Sequence, residues 1–536
     1  MLRLTDIRLP LNHPEIAIKN AILKRINISE KDLVQFKIFK RGYDARKHND
    51  IRLVYTIDIE AKNEKGILYK FRKNNQIKIK PDTQYKLVAK ADPNVQERPI
   101  IIGTGPCGIF AGLVLAQMGF NPILLERGKK VKERTEDTFG FWRKGELNPE
   151  SNVQFGEGGA GTFSDGKLHT QTKDKNNRGR KVLEEFVAAG APNEILYISK
   201  PHIGTLKLVK IVKNMRNKII DLGGEVRFQS RVDDLIIKDS QVLGVVLSNG
   251  EEILSKHVIL AIGHSARDTF EMLLKKDINI EAKSFSIGLR IEHPQGLIDT
   301  CQFGENAGNP ILGAADYKLV HHGSNGRSVY TFCMCPGGTV LASSSEPNSI
   351  VTNGMSQYSR NEGNANSAIV VEVSPKDFPG NPLAGIEFQR KWEKAAFILG
   401  GENYDAPGQL LGDFMANRPS KNFGDVMPSY KPGVKLGSLD SCLPDYVLTS
   451  IREALPFFNK KIKGFLLDDA ILTGVETRTS SPIRIIRDKS HQSISLKGLY
   501  PSGEGAGYAG GILSSAVDGI KAAEAVAFNI LNLDIS

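Results

Sequence analysis

The chain has 536 residues, 40% hydrophobic and 24% charged, which excludes a mainly disordered or collagen-like polymer. At roughly 100–200 residues per domain the length predicts two or three cores; five irregularly spaced cysteines exclude a disulfide scaffold and fit a reducing cytoplasm. The net charge of +11 is local: residues 1–98 hold 22 Lys+Arg against 12 Asp+Glu, and the rest hold 49 against 48.

Residues 1–97 read as a small basic α+β module. Pro14 opens a helical pattern through Ile16, Ile18, Ile22 and Leu23. Strands are predicted at 35–40 and 50–60; the second alternates, with Ile51, Leu53, Tyr55, Ile57 and Ile59 on one face. Between them Lys40-Arg41-Gly42-Tyr43-Asp44-Ala45-Arg46-Lys47 forms a predicted basic loop, with Phe36 and Phe39 nearby. Such a loop suits nucleic acid, an acidic partner, or docking onto the same chain, and charge alone does not choose among them. No secretory signal is expected, because Met1–Pro10 lacks an apolar core and a small-residue cleavage site.

From residue 98 the pattern changes. Residues 99–125 carry no charge, yet Pro106, Pro122 and several glycines interrupt them. A membrane span needs about 20 continuous apolar residues, so no span is expected. Ile100-Ile101-Ile102 reads as a buried strand running into Gly103-Thr104-Gly105-Pro106-Cys107-Gly108 and an apolar helix. Gly103 permits the tight turn, Gly105 lets backbone approach a pyrophosphate, and Gly108 lets helix and strand pack closely. The helix N-terminus offers its orphan N–H groups to the phosphates, and Cys107 fills a small-residue place. A second strand, Ile123-Leu124-Leu125, ends at Glu126 and Arg127; Glu126 is placed to accept from a ribose hydroxyl. These elements fit FAD or NAD.

The far end separates the two. Gly503-Glu504-Gly505-Ala506-Gly507 leads through Gly510-Gly511-Ile512 into a helix. This is similar to the C-terminal motif of FAD-dependent oxidoreductases, where an acid holds the flavin ribitol and the helix start faces the flavin pyrimidine. Glu504 stands where Asp is usual. His257-Val258-Ile259-Leu260-Ala261-Ile262-Gly263 is similar to the apolar strand ending in Ala-Thr-Gly of the same flavoproteins, with Ile262 in place of Thr. No second GxGxxG follows a strand, so a separate Rossmann domain for NAD(P)H is not expected.

Further strings remain: Gly156-Glu157-Gly158-Gly159-Ala160-Gly161, His264-Ser265-Ala266-Arg267-Asp268, Arg290-Ile291-Glu292-His293-Pro294, Phe332-Cys333-Met334-Cys335 and Arg478-Thr479-Ser480-Ser481. Together they resemble an uncharacterised bacterial family of FAD-dependent dehydrogenases, of the two-domain flavoprotein type shared with geranylgeranyl reductases and aromatic hydroxylases. The resemblance implies an α/β fold with a Rossmann-like FAD-binding domain in discontinuous segments, 98–285 and 481–536, and an inserted mixed β-sheet substrate domain at 286–480.

Four glycines in six residues at 156–161 suit close approach to the isoalloxazine or pyrophosphate. The strand 285–292 would place Ser286, Gly288, Arg290 and Glu292 on one face, toward a cavity or toward water. Cys333 and Cys335 share a strand face, and either packing or redox chemistry fits them; no metal set is present. His293, Arg478 and Arg290 are the candidate catalytic residues, with His264 as a further donor. The expected activity is hydride transfer between FAD and a small-molecule substrate, with NAD(P)H as a transient reductant one alternative. Flavin-dependent RNA modification through the basic module, and a non-catalytic flavin-bearing scaffold, are the others.

Overall fold

The computed structural model describes residues 1–170 and 174–533. Five short strands pair in parallel in the order Leu499–Pro501, Val258–Leu260, Ile100–Ile102, Ile123–Leu125 and Glu225–Arg227. Four of the five are buried along their whole length, as strands covered on both faces must be. Successive side chains point to opposite faces. Ile101, Leu124, Ile259 and Tyr500 share a cluster with the helices Pro106–Met118 and Ile512–Ile530. Ile100, Ile102, Leu125 and Leu260 share another with the antiparallel sheet Val232–Lys238, Gln241–Leu247 and Glu252–Leu254. The two helices touch where Gly519 meets the Cys107 backbone; a Cβ there would lie 2.1 Å from the carbonyl oxygen.

The middle of the chain builds a seven-stranded sheet in the order Val320–His322, Ser328–Cys335, Asn364–Val373, Phe285–Pro294, Ile471–Glu476, Ala406–Leu410 and Val434–Leu436. All its pairings are antiparallel except the last. The polar row of Phe285–Pro294 meets neither cavity nor water: Ser286 is 2% exposed, and Arg290 and Glu292 are 0%. Helix Asp445–Lys461 packs on this sheet, as does the hairpin Gly338–Ala342 with Thr352–Ser356, so its polar side chains must find partners inside. Strands Ile280–Ala282 and Ile483–Ile485 pair where the chain enters and leaves this unit.

The N-terminal module is a four-stranded sheet in the order Leu33–Asp44, Arg52–Ala61, Leu2–Pro10, Ile77–Ile79, with helix Ile16–Ile26. Ile51, Leu53, Tyr55, Ile57 and Ile59 are buried as their alternation predicts. The basic loop is shorter than expected, because the first of these strands runs on to Asp44. Its outer edge docks on the body of the protein: Arg41 N–H donates to the Tyr197 carbonyl at 2.6 Å, and Ser199 N–H donates to the Arg41 carbonyl at 2.8 Å. That contact satisfies backbone groups an edge strand otherwise leaves open. No helix among the described residues is long and apolar enough to cross a membrane.

Candidate functional site

A cavity of about 720 Å³ opens at the carboxyl ends of the parallel strands and reaches the seven-stranded sheet. Open parallel sheets bind ligands at that end. Its near wall is Gly103-Thr104-Gly105-Pro106-Cys107, with Glu126, Arg127 and Gly263; its far wall includes Thr331, Phe332, Cys333, Met334 and Arg478.

The glycine loop is a packing device on one side and an open cradle on the other. Gly103 has φ +101°, and a Cβ on Gly108 would lie 1.9 Å from the Gly103 carbonyl oxygen. A Cβ on Gly105 would touch only Gly159, at 3.8 Å, and on Gly263, Gly510 or Gly511 it would meet nothing within 4 Å. These four line the cavity. Gly108, Gly158 and Gly503, grouped with them from sequence, do not line it; they let backbones close up behind. Gly158 N–H donates to Thr104 O at 2.9 Å, and a Cβ on Gly503 would press on Cys107 at 2.9 Å.

Glu126 is 5% exposed. One carboxylate oxygen accepts from Thr104 N–H at 2.9 Å and Thr104 Oγ at 2.7 Å; the other accepts from the amides of Gly128 and Gly156, both at 3.0 Å. The ribose acceptor expected from sequence is therefore also the clamp joining three loops, and its four acceptor positions are in use. Arg127 lies over the Phe155 ring at 4.2 Å and pairs with Glu150 and Asp268. Arg134, invisible as a motif, is wholly buried and donates to the carbonyls of Asn152, Val153 and Glu157 at 2.7–2.8 Å. It holds the segment leading into Gly159, Ala160 and Gly161, which line the cavity.

At the other end, the first turn of helix Ile512–Ile530 lines the cavity from Ile512 to Ser515, where amide N–H groups lack intrahelical acceptors. Glu504 also lines it, and burial pushes its carboxyl up to about 7. Near neutrality it is poised between proton donor and acceptor.

The three candidate catalytic residues separate. Arg478 lines the cavity, but its guanidinium is bidentate on Glu393, at 2.8 and 3.0 Å, and also donates to Ser345 Oγ at 2.6 Å and Ser265 Oγ at 3.1 Å. Arg267 grips the same Glu393 at 2.8 and 3.0 Å. Burial opposes the Glu393 charge, yet the two arginines hold its carboxyl far below the usual range. Arg290 lies outside the cavity lining, bidentate on Glu476 at 3.0 Å. His293 is not beside Arg478: it is wholly buried, its Nε2 meets the Phe465 carbonyl at 2.8 Å, and burial pushes it down to about 4. The histidine that joins Arg478 at the cavity is His264, whose Nδ1 is 3.0 Å from Ser265 Oγ. Burial, then Arg478 and Arg267, push it down to about 3, so it is neutral at physiological pH.

Lys167, six residues beyond the glycine-rich string 156–161, is a site residue that the sequence reading did not single out. It lines the cavity, donates to Met334 O and lies 3.8 Å from Asp165. Asp165 is bound by Arg360; the pairing joins positions 195 residues apart and left no local signal.

Residues 284–479 match the family described as FAD-dependent protein, C-terminal domain-like. An uncharacterized protein of Clostridium beijerinckii is 49% identical over 525 residues, 98% of each chain. The chain belongs to this family of FAD-dependent proteins. Residues 1–60 match a domain of unknown function. A prolycopene isomerase of Daucus carota is 35% identical over 68 residues, covering 12% of this chain and 11% of that one. Among solved structures, halogenase PltM in complex with phloroglucinol and FAD is 12% identical, with 82% of this chain and 70% of that one covered at TM-score 0.37. GidA of Aquifex aeolicus is 11% identical, with 83% and 65% covered at TM-score 0.33.

The cavity fits FAD in its donor set. Open glycines lie where backbone must approach a pyrophosphate, and two helix starts offer amides to negative charge. Glu504 can bond to a hydroxyl whether or not it carries its proton. Glu126 is the one strained element of this fit, since a ribose hydroxyl must share an oxygen already bonded to backbone.

Proposed function

We propose that this protein is an FAD-dependent oxidoreductase that transfers hydride between the flavin and a small-molecule substrate. The observation that supports this reading is a continuous cavity with cofactor-type backbone on one wall and side chains of a separate sheet on the other. FAD supplies the two-electron donor and acceptor. In this reading Gly103–Cys107 and the start of helix Pro106–Met118 would hold the pyrophosphate, Glu126 the ribose and Glu504 the ribitol. The Gly510-Gly511-Ile512 helix start would offer its amides to negative charge on the bound group.

His264, held neutral beside Arg478, hydrogen-bonds to a substrate carbonyl through a ring N–H. Arg478, already paired with Glu393, acts as a positioning residue that holds Ser265 against His264. NAD(P)H or the substrate itself supplies the electrons, in the cytoplasm, where a chain with five free cysteines and no structural disulfide is at home. The relation to geranylgeranyl reductases and aromatic hydroxylases belongs to the same proposal.

Visible absorption during anaerobic titration with NADPH and then NADH tests it. A flavin band that bleaches is the expected result for a nicotinamide-fed reductase; a band that persists points to reduction by substrate. A folded preparation that neither contains nor takes up flavin refutes the reading.

A further inference from the structure

We propose that Cys333 and Cys335 form a redox-active pair that takes an electron pair from the reduced flavin, an inference that rests on the flavin reading above. On a regular strand, residues i and i+2 stand about 7 Å apart, too far for their sulfurs to join. The strand Ser328–Cys335 is not regular at its end. Phe332 lies opposite Ala368 and Cys335 opposite Asn366, three steps against two, and Cys333 adopts φ +44°. That left-handed conformation is uncommon for a residue with a side chain. The resulting bend folds Cys335 back until its Sγ is 3.2 Å from the Cys333 carbonyl oxygen.

The two thiols are placed unequally. Cys333 lines the cavity, whereas Cys335 is wholly buried behind it. Two cations grip the bend: Lys167 donates to the carbonyl of Met334, between the cysteines, and Arg290 donates to the Cys333 carbonyl at 3.1 Å. The Cys335 thiol, with Lys167 and Arg290, holds the Cys333 sulfur below the ordinary thiol range against burial; Cys335 is raised by the same hydrogen bond and by burial. An accessible, thiolate-prone cysteine backed by a resolving partner is the arrangement that redox exchange needs. Cys107 and Cys442 show the contrast, each buried and pushed upward chiefly by burial.

In the step, the Cys333–Cys335 S–S bond breaks and two S–H bonds form. The electron pair and one proton come from the reduced flavin, and the second proton comes from solvent. The dithiol then reduces a disulfide substrate by exchange and returns to the disulfide. The short spacing strains that disulfide, which makes it easier to reduce.

Two measurements test the pair. Holoprotein is oxidised with diamide, denatured in iodoacetamide and analysed by peptide mass spectrometry. The expected result is an internal Cys333–Cys335 disulfide with Cys107 and Cys442 alkylated; alkylation of both Cys333 and Cys335 overturns the proposal. The oxidised holoprotein is also titrated anaerobically with dithionite. Wild type should consume about two electron pairs per flavin, and Cys333→Ser and Cys335→Ser about one. Equal consumption by wild type and a folded variant overturns it. Absence of a flavin band refutes the flavin reading, and with it the proposed electron transfer, whereas alkylation still reports whether the cysteines pair.

Discussion

The two walls of the cavity are built by different physics. The nucleotide wall is mostly backbone: open glycines, two helix starts and a carboxylate clamped by amides. The opposite wall is mostly side chains held by buried ion pairs, Arg478 and Arg267 on Glu393 and Arg290 on Glu476. Backbone cradles are written locally, since the residues that make them are neighbours in sequence. Ion-pair frameworks are assembled from afar, by residues that only the fold brings together.

The largest effect should come from the ion-pair wall. Glu393→Ala leaves two buried guanidinium groups without their shared carboxylate and should cost about 3–5 kcal/mol, read as the shift in denaturant unfolding. Flavin retained by that variant at native stability would show that the framework is dispensable. Gly108→Ala attacks the other wall. Its Cβ would stand 1.9 Å from the Gly103 carbonyl, and the forced shift should cost roughly 3 kcal/mol and lower the flavin-to-protein ratio.

Two titratable groups at the cavity should also differ in the sign of their pH response. Glu504 titrates near 7 in the fold against about 4.5 unfolded, so its folded state holds the proton more tightly. Its contribution to the stability of flavin-free protein is full below pH 4.5 and is lost as pH rises through 7, by up to about 3 kcal/mol. Glu504→Gln should flatten that slope in unfolding measured from pH 5 to 8. His264 behaves oppositely: lowered to about 3 from 6.5, it contributes stability above pH 6.5 that is lost as pH falls toward 3. His264→Asn should unfold less readily than wild type at pH 4, with no such relative gain at pH 7.

The smallest effect belongs to the basic module. Arg46 is exposed and bonds to its near neighbour Asp44. Arg46→Ala should leave the unfolding midpoint where it is, because exposed pairs contribute little. Replacing Lys40, Arg41, Arg46 and Lys47 together by Ala separates the two uses of that surface. Salt-sensitive RNA binding lost in the fourfold variant would support a nucleic-acid role, and equal binding would leave docking against Tyr197 and Ser199 as its purpose.

Much of the nucleotide wall was legible because strand, glycine turn, helix and acid follow one another within a few tens of residues. The roles of Gly103 and Gly108 follow from steric need alone. The substrate wall was not legible in that way. His293 and Arg290 share a strand with Glu292, and alternation grouped Arg290 with Ser286 and Glu292 without revealing that both faces of the sheet are covered. Hence Arg290 became a structural ion pair and His293 a buried donor to the Phe465 carbonyl, while His264, in a loop after a parallel strand, reached the cavity.

By itself the sequence determined the alternation of the core strands, the glycine cradle and the basic character of the first hundred residues. These follow from residue type and short spacing, where sterics and burial act between near neighbours. The tertiary structure alone decided which charged groups face the cavity. Arg267 and Arg478 stand 126 and 85 residues from the Glu393 they share, and only packing the sheets together sets which guanidinium finds which carboxylate. It also decided that Cys333 bends out of its strand toward the cavity, because a register slip depends on the partner strand, not on the cysteines.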